Sequence, residues 1–166
     1  STDVGGLGGY LAYYAGIFLG EGRDVWNTAG TLDFHYLGRV EINPLGGFDD
    51  DSEADFARAS QPGVSLGVAY SFVDEARGNR GVLGDPPADG GTTDYHSATA
   101  DLMVKWMGWS ASAEFFWRSG VRRVGDASMP DPSDPDDPPG TVPVPRERPR
   151  NGLGWMVQSG YLIPRT

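Results

Sequence analysis

The sequence predicts an all-β chain, folded as an antiparallel up-and-down meander of about six long strands. Three observations carry this. Successive stretches alternate apolar and polar side chains at period two. Turn signals rich in Gly, Pro and Asp separate them. Helix-period stretches are nearly absent, with Ser52–Ala59 the one weak candidate. The strands are also long, about 11–13 residues against a usual 5–6, and a tilted strand needs about 9–11 to cross a bilayer.

The first strand, Gly9–Leu19, is apolar on both sides, so its faces stay unassigned. The second, Thr31–Asn43, sets Leu32, Phe34, Tyr36, Gly38, Val40 and Ile42 against Thr31, Asp33, His35, Leu37, Arg39, Glu41 and Asn43. In Gly63–Val73 the large Val64, Leu66, Val68, Tyr70 and Phe72 alternate with the small Ser65, Gly67, Ala69 and Ser71. Tyr95–Met107 places Ala98, Ala100, Leu102, Val104 and Trp106 opposite Ser97, Thr99, Asp101, Met103 and Lys105. Trp109–Ser119 places Trp109, Ala111, Ala113, Phe115 and Trp117 opposite Ser110, Ser112, Glu114, Phe116 and Arg118. The last, Gly152–Ile163, sets Leu153, Trp155, Val157, Ser159 and Tyr161 against Gly154, Met156, Gln158 and Gly160.

Composition narrows the function classes. With 13 Lys and Arg against 23 Asp and Glu, the formal charge is −10. That excludes a basic nucleic-acid footprint over the whole chain. Aromatics reach 11%, too many for a disordered segment. The absence of cysteine removes disulfides, thiolate metal sites and a cysteine nucleophile. His35 and His96 alone do not build a multi-histidine centre, and no cofactor is expected. No apolar run reaches the roughly 18–20 residues of a membrane helix, which leaves membrane strands open. Ser1-Thr2-Asp3-Val4 carries no signal-peptide pattern, and residues 1–166 read as a single partial domain, a fragment of a longer chain.

Alternation alone fits a soluble sandwich as well as a membrane barrel. Two details favour lipid. Full charges stand in mid-strand on the polar faces, and aromatics recur near the strand ends of the apolar faces, where membrane borders place them. The expected pore-lining set is Asp33, Arg39, Glu41, Asp101, Lys105, Glu114 and Arg118; the expected lipid-facing set is Phe34, Val40, Leu102, Trp106, Trp117, Trp155 and Tyr161. Long connections near 20–30, 74–94 and 120–151 fall on one end of the meander, and the tight turn near Gly108 on the other, matching long extracellular loops and short periplasmic turns. The connection over 44–62 is long yet falls on the turn end.

Four segments resemble chemical sites and are better explained otherwise. The acidic run Asp49–Asp55 lacks the spacing, central Gly and terminal Glu of an EF-hand loop and reads as a solvated turn. Met129–Arg150, Pro-rich and first acidic, then basic, reads as an exposed extended loop. Gly5–Gly9 has no helix after it, as a phosphate-cradling loop requires. Glu41, Asp101 and Glu114 could serve as glycosidase carboxylates, but each has a basic neighbour on an alternating face and reads as a paired lumen charge. His96, on the apolar face at a strand end, reads as a border residue. No nucleophile–base constellation emerges, so no enzymatic activity is expected.

Several motifs in order resemble a known family. Tyr14–Gly22 resembles a strand ending in a short Gly-rich loop, and Gly38–Gly46 an Arg-Val strand running into a Pro-Gly turn. Lys105–Ser110 followed by Ala113-Glu114-Phe115 and Arg118 is similar to a hairpin with a Glu-aromatic pair. Gly154–Pro164 resembles a Gln-x-Gly-Tyr strand. Together they look like the phosphate-selective porin O/P family of Gram-negative outer membranes. The resemblance implies a sixteen-stranded barrel, a homotrimer of the full-length parent, outer-membrane lipid as surroundings, and passive diffusion of small ions such as phosphate. Phosphate preference does not follow from this stretch, because Asp33, Glu41, Asp101 and Glu114 outnumber Arg39, Lys105 and Arg118 on the expected lumen face. The alternative is a soluble secreted β-barrel or sandwich binding a small ligand or glycan, with the apolar faces packed inside.

Overall fold

A computed structural model describes residues 9–20, 33–46, 52–81, 83–136 and 138–164. Six long strands form one antiparallel sheet: β1 Leu11–Leu19, β2 Phe34–Ile42, β3 Gly63–Ala76, β4 Thr92–Trp106, β5 Trp109–Arg123 and β8 Gly152–Tyr161. A separate short hairpin joins β6 Ser128–Pro130 to β7 Thr141–Pro143. The sheet order β1-β2-β3-β4-β5-β8 is a meander, and β1 and β8 are its open edges. The sheet is not closed into a barrel. No described residue is helical. Ser52–Ala59 is bends and turns instead: Ser52 bonds its own local backbone at Ala54, and eight residues are too few to sustain a helix without help from packing.

Register lines up the period-two pattern across every strand. Tyr13, Val40, Val68, Ala100, Phe115 and Trp155 follow one another in a single cross-strand row. Because paired residues share a face, this row settles β1: Leu11, Tyr13, Ala15, Ile17 and Leu19 join the apolar face, while Ala12, Tyr14, Gly16 and Phe18 join the polar one. The strand ends are staggered. Leu11 opens β1 in the row of Val157, four residues before β8 ends at Tyr161. The ends therefore slope across the sheet.

The connections sort by end as the meander requires. The segments between β3 and β4 and between β5 and β8 lie on one end; the β4–β5 turn lies on the other. Residues 21–32 and 47–51 lie outside the described residues, so most of the first long loop and Asp49–Asp51 are not placed. Met107 and Gly108 form the tight turn, both with positive φ (51° and 88°), the primed geometry that suits the twist of a two-residue hairpin.

Little apolar surface is buried in the strands. Within the described strands the buried apolar side chains are only Val73, Ala76 and Tyr95. They sit on the polar face at the loop end, where the connections fold over the sheet. The apolar face is open: Val68 is 60% and Trp155 74% exposed.

Candidate functional site

The polar face carries its charges near mid-height. One row runs Ala12, Glu41, Gly67, Asp101, Glu114 and Met156. The row above it, toward the loop end, contains Arg39. The Arg39 guanidinium crosses β3 to grip the Asp101 carboxylate with both nitrogens, Nη1 to Oδ2 at 2.6 Å and Nη2 to Oδ1 at 2.9 Å. Nη2 also donates to Glu41 Oε2 at 3.4 Å. Such a fork-on-fork pair is the strong form of a charge-assisted hydrogen bond.

Gly67 makes that crossing possible. A Cβ built there would stand 2.5 Å from both Asp101 carboxylate oxygens and closer still to Arg39 Nη2. Sequence reading paired the charges of this face but gave Gly67 no part. The available signal was a glycine at the centre of a strand whose neighbours on that face are charged.

The remaining expected pore-lining residues scatter along the face. Glu114 stands directly opposite Asp101 and is half-buried, with no hydrogen-bond or ion-pair partner among the described residues. Lys105 lies toward the turn end, 4% exposed, donating to Ser52 Oγ at 3.3 Å. Arg118 lies toward the loop end, stacked 3.9 Å over the Tyr95 ring and donating to Arg80 O at 2.9 Å. Asp33 is buried beside Gly20 at the loop end, with Arg77 Nε 3.9 Å away.

Both ends of the polar face are tied by contacts that pattern reading did not anticipate. At the loop end Arg122 pairs with buried Asp89 and donates to Thr92 O at 2.7 Å. On the other face, beyond the His96 row, Arg123 gathers Asp94 (2.8 Å), Asp74 (3.2 Å) and Glu75. Its hydrogen bond to Asp94, with the charges of Asp94, Glu75 and Asp74, pushes the guanidinium above its ordinary range. The Tyr95 hydroxyl donates to Asn79 O at 3.2 Å and accepts from Arg150 N at 3.3 Å, pinning two connections over the face. At the turn end Asp55, expected in a solvated turn, is 2% exposed and accepts from Gly108 N at 2.6 Å and Ala59 N at 3.2 Å. Burying a carboxylate requires such donors.

On the apolar face the expected lipid-facing residues Phe34, Val40, Leu102, Trp106, Trp117, Trp155 and Tyr161 are all exposed. Toward the loop end Tyr36, Phe72 and His96 share one row. His96 stacks on Phe72 (4.8 Å between ring centroids) and its Nδ1 lies 2.6 Å from the Tyr70 hydroxyl. Toward the turn end Trp106 and Trp109 face each other across the hairpin, with Tyr161 paired to Trp109.

Of the three carboxylates weighed as glycosidase groups, Glu41 and Glu114 stand three strand spacings or about 14 Å apart, wider than the roughly 5–9.5 Å of such pairs, whereas Asp101 and Glu114 are directly opposite on paired strands and Asp101 is held by Arg39. Among the described residues no group of three His, Asp or Glu side chains is placed to hold a metal ion. Comparison with family models, curated proteins and solved structures returns no match for this chain.

Proposed function

We propose that these strands form part of an outer-membrane diffusion pore of a Gram-negative bacterium, passing small ions or solutes without catalysis. The observation that carries this is the continuous, registered and exposed apolar face, bordered at both ends by aromatic side chains and backed by a charged face. A soluble β-protein packs such a face inside; a transmembrane barrel turns it to lipid and keeps its charges around water.

Dimensions support the reading. From His96 to Trp106 on β4 is ten residues, about 33 Å along the strand at roughly 3.3 Å each. Tilted strands shorten that to about 25–30 Å of height, near the apolar band of roughly 25 Å in outer-membrane barrels. The stagger of strand ends, four residues over five pairings at the turn end, corresponds to a slope of roughly 30°, somewhat below the ~35–45° typical of such barrels. The loop-side aromatics follow the slope: Trp117 lies two residues, and Trp155 four, to the turn side of the Tyr36–Phe72–His96 row.

The open edges at β1 and β8 call for further strands, since an unpaired edge in lipid leaves backbone groups unsatisfied. Those strands belong to the parent chain in a barrel of the porin O/P type, sixteen-stranded and trimeric by resemblance. The test is reconstitution of the intact parent chain in a planar bilayer. Stepwise conductance is the expected result. Folded protein that stays monodisperse without detergent and gives no conductance would overturn the pore in favour of a soluble binding module.

A further inference from the structure

We infer that residues 52–55 form a fixed threshold inside the pore at its turn end, narrowing the passage and limiting the size of solute it admits. Glu53 is the side chain that lines the opening, and Asp55 is the positioning residue that holds the segment there. The inference deepens the pore reading above and rests on it.

The polar face is covered at its turn end. Lys105 is 4%, Ser110 5% and Ser65 8% exposed, although the lumen face of a barrel meets water. A turn that stayed beyond the strand ends would leave these side chains wet. Residues 52–54 lie over them instead. Ser52 Oγ accepts from Lys105 Nζ at 3.3 Å. Glu53 and Ala54 face Ser110, Ser112, Gln158 and Gly160 across a cavity of about 220 Å³. Ser110 and Gly160 share one cross-strand row, and Ser112 and Gln158 share the next row toward mid-height. The segment therefore overlies two rows of the polar face, on the side where solutes pass, and Glu53 is its exposed side chain there.

Asp55 fixes the place where the chain crosses the end of the sheet. Its buried carboxylate accepts from Gly108 N at 2.6 Å and from Ala59 N at 3.2 Å. Past this residue the chain is on the opposite face. Trp106 Nε1, on the apolar side, donates to Ser60 O at 3.3 Å, and the Arg58 guanidinium lies 5.5 Å from the Tyr161 ring centroid. The segment is thus hooked under the β4–β5 turn and held on both faces, so it stays in the lumen as a fixed obstruction. A chain packed on a sheet face stands roughly 10 Å off it, as stacked sheets do, and takes about that much from the width of the passage.

The experiment places a thiol at Glu53 in the intact parent chain; these 166 residues contain no cysteine of their own. Glu53→Cys is reconstituted in a planar bilayer, and its conductance steps are read before and after a bulky, neutral, water-soluble thiol reagent. Labelling is confirmed by mass, and the unsubstituted parent chain treated alike is the blank. Labelling should lower each step by roughly a third or more, as obstruction of a constriction does. Gln61→Cys, next to Ser60 on the outer side, should label and leave the steps unchanged. Three results overturn the threshold and leave the pore standing: full-sized steps after complete labelling of Glu53→Cys, a thiol there that reacts only in unfolded protein, or an equal loss from Gln61→Cys. Absence of any step from folded, unlabelled protein overturns both.

Discussion

Replacing Gly67 by alanine should break the Arg39–Asp101 bridge without touching either partner. The added Cβ would lie 2.5 Å from both Asp101 carboxylate oxygens, a separation no relaxed pair of atoms holds, so the guanidinium must leave the gap. The two side chains are 29% and 31% exposed, between the exposed pairs worth about 0–1 kcal/mol and charged hydrogen bonds worth about 1.5–3. About 1.5 kcal/mol is a fair value for the bridge. Alanine offsets about 0.5 kcal/mol of this by restricting the unfolded chain, so the net loss should be about 1 kcal/mol. The assay is urea unfolding of the parent chain from lipid vesicles, followed by tryptophan fluorescence. In an Arg39→Ala background the guanidinium is gone and the freed Asp101 carboxylate can turn aside, so Gly67→Ala should be neutral or slightly stabilising. The cycle isolates the coupling between the two sites. Equal cost in both backgrounds would refute the idea that Gly67 exists to let the guanidinium through.

The two faces should answer differently to an introduced charge. Val68→Arg, midway between the aromatic borders on the apolar face, should cost about 2–4 kcal/mol of folding into a bilayer, whereas Thr99→Arg on the polar face should cost under about 1; vesicle unfolding curves compare them. The hairpin between β5 and β8 should loosen in acid. Asp131 is held below its ordinary carboxylate value by the Ser133 hydroxyl and amide, and Asp134 by the amides of Gly140 and Asp136. A lowered folded pKa contributes stability that is complete above the unfolded value near ~3.9 and is lost as pH falls through the folded values. The protection of the Ser133 and Gly140 amides against exchange, relative to the unfolded chain at the same pH, should hold near neutral pH and fall only below about pH 4.

Most of the sheet was legible in the sequence because period-two alternation is a local property. Each strand from Phe34 to Tyr161 writes its own face, and register then has a single solution that keeps large apolar side chains together. The first strand was not legible for the converse reason: Tyr13 and Tyr14 are equally apolar, and only pairing with Val40 and Arg39 assigns them. The Arg39–Glu41 pairing was legible as well, since the two share a face two residues apart, whereas Glu114, also expected to pair, has no ion-pair partner among the described residues. What could not be read was the crossing to Asp101, which depends on β4 standing two strands away and on the absence of one Cβ between them. The loop-end contacts of Arg122, Arg123 and Tyr95 were hidden for the same reason. Their partners lie 16–55 residues off in sequence, and no periodicity encodes that.

The long connection on the turn end, which fits poorly with short periplasmic turns, is accounted for by the turn it reaches. In a two-residue primed hairpin both central residues take positive φ, a cost that Gly108 escapes and Met107, at 51°, does not. The amides of both residues point away from the strands and need acceptors. Residues 52–60 supply them: Met107 N donates to Ala59 O at 3.0 Å and Gly108 N to Asp55 Oδ2 at 2.6 Å. Trp106 Nε1 reaches Ser60 O at 3.3 Å, and Arg58 donates to Leu162 O just past β8. The segment is long because it must span from β3 to the ends of β4, β5 and β8, and it is held at each of them. It behaves as a brace across the turn end rather than as a surface loop. The buried Asp55, read from sequence as part of a solvated acidic run, is the side chain on which that brace depends.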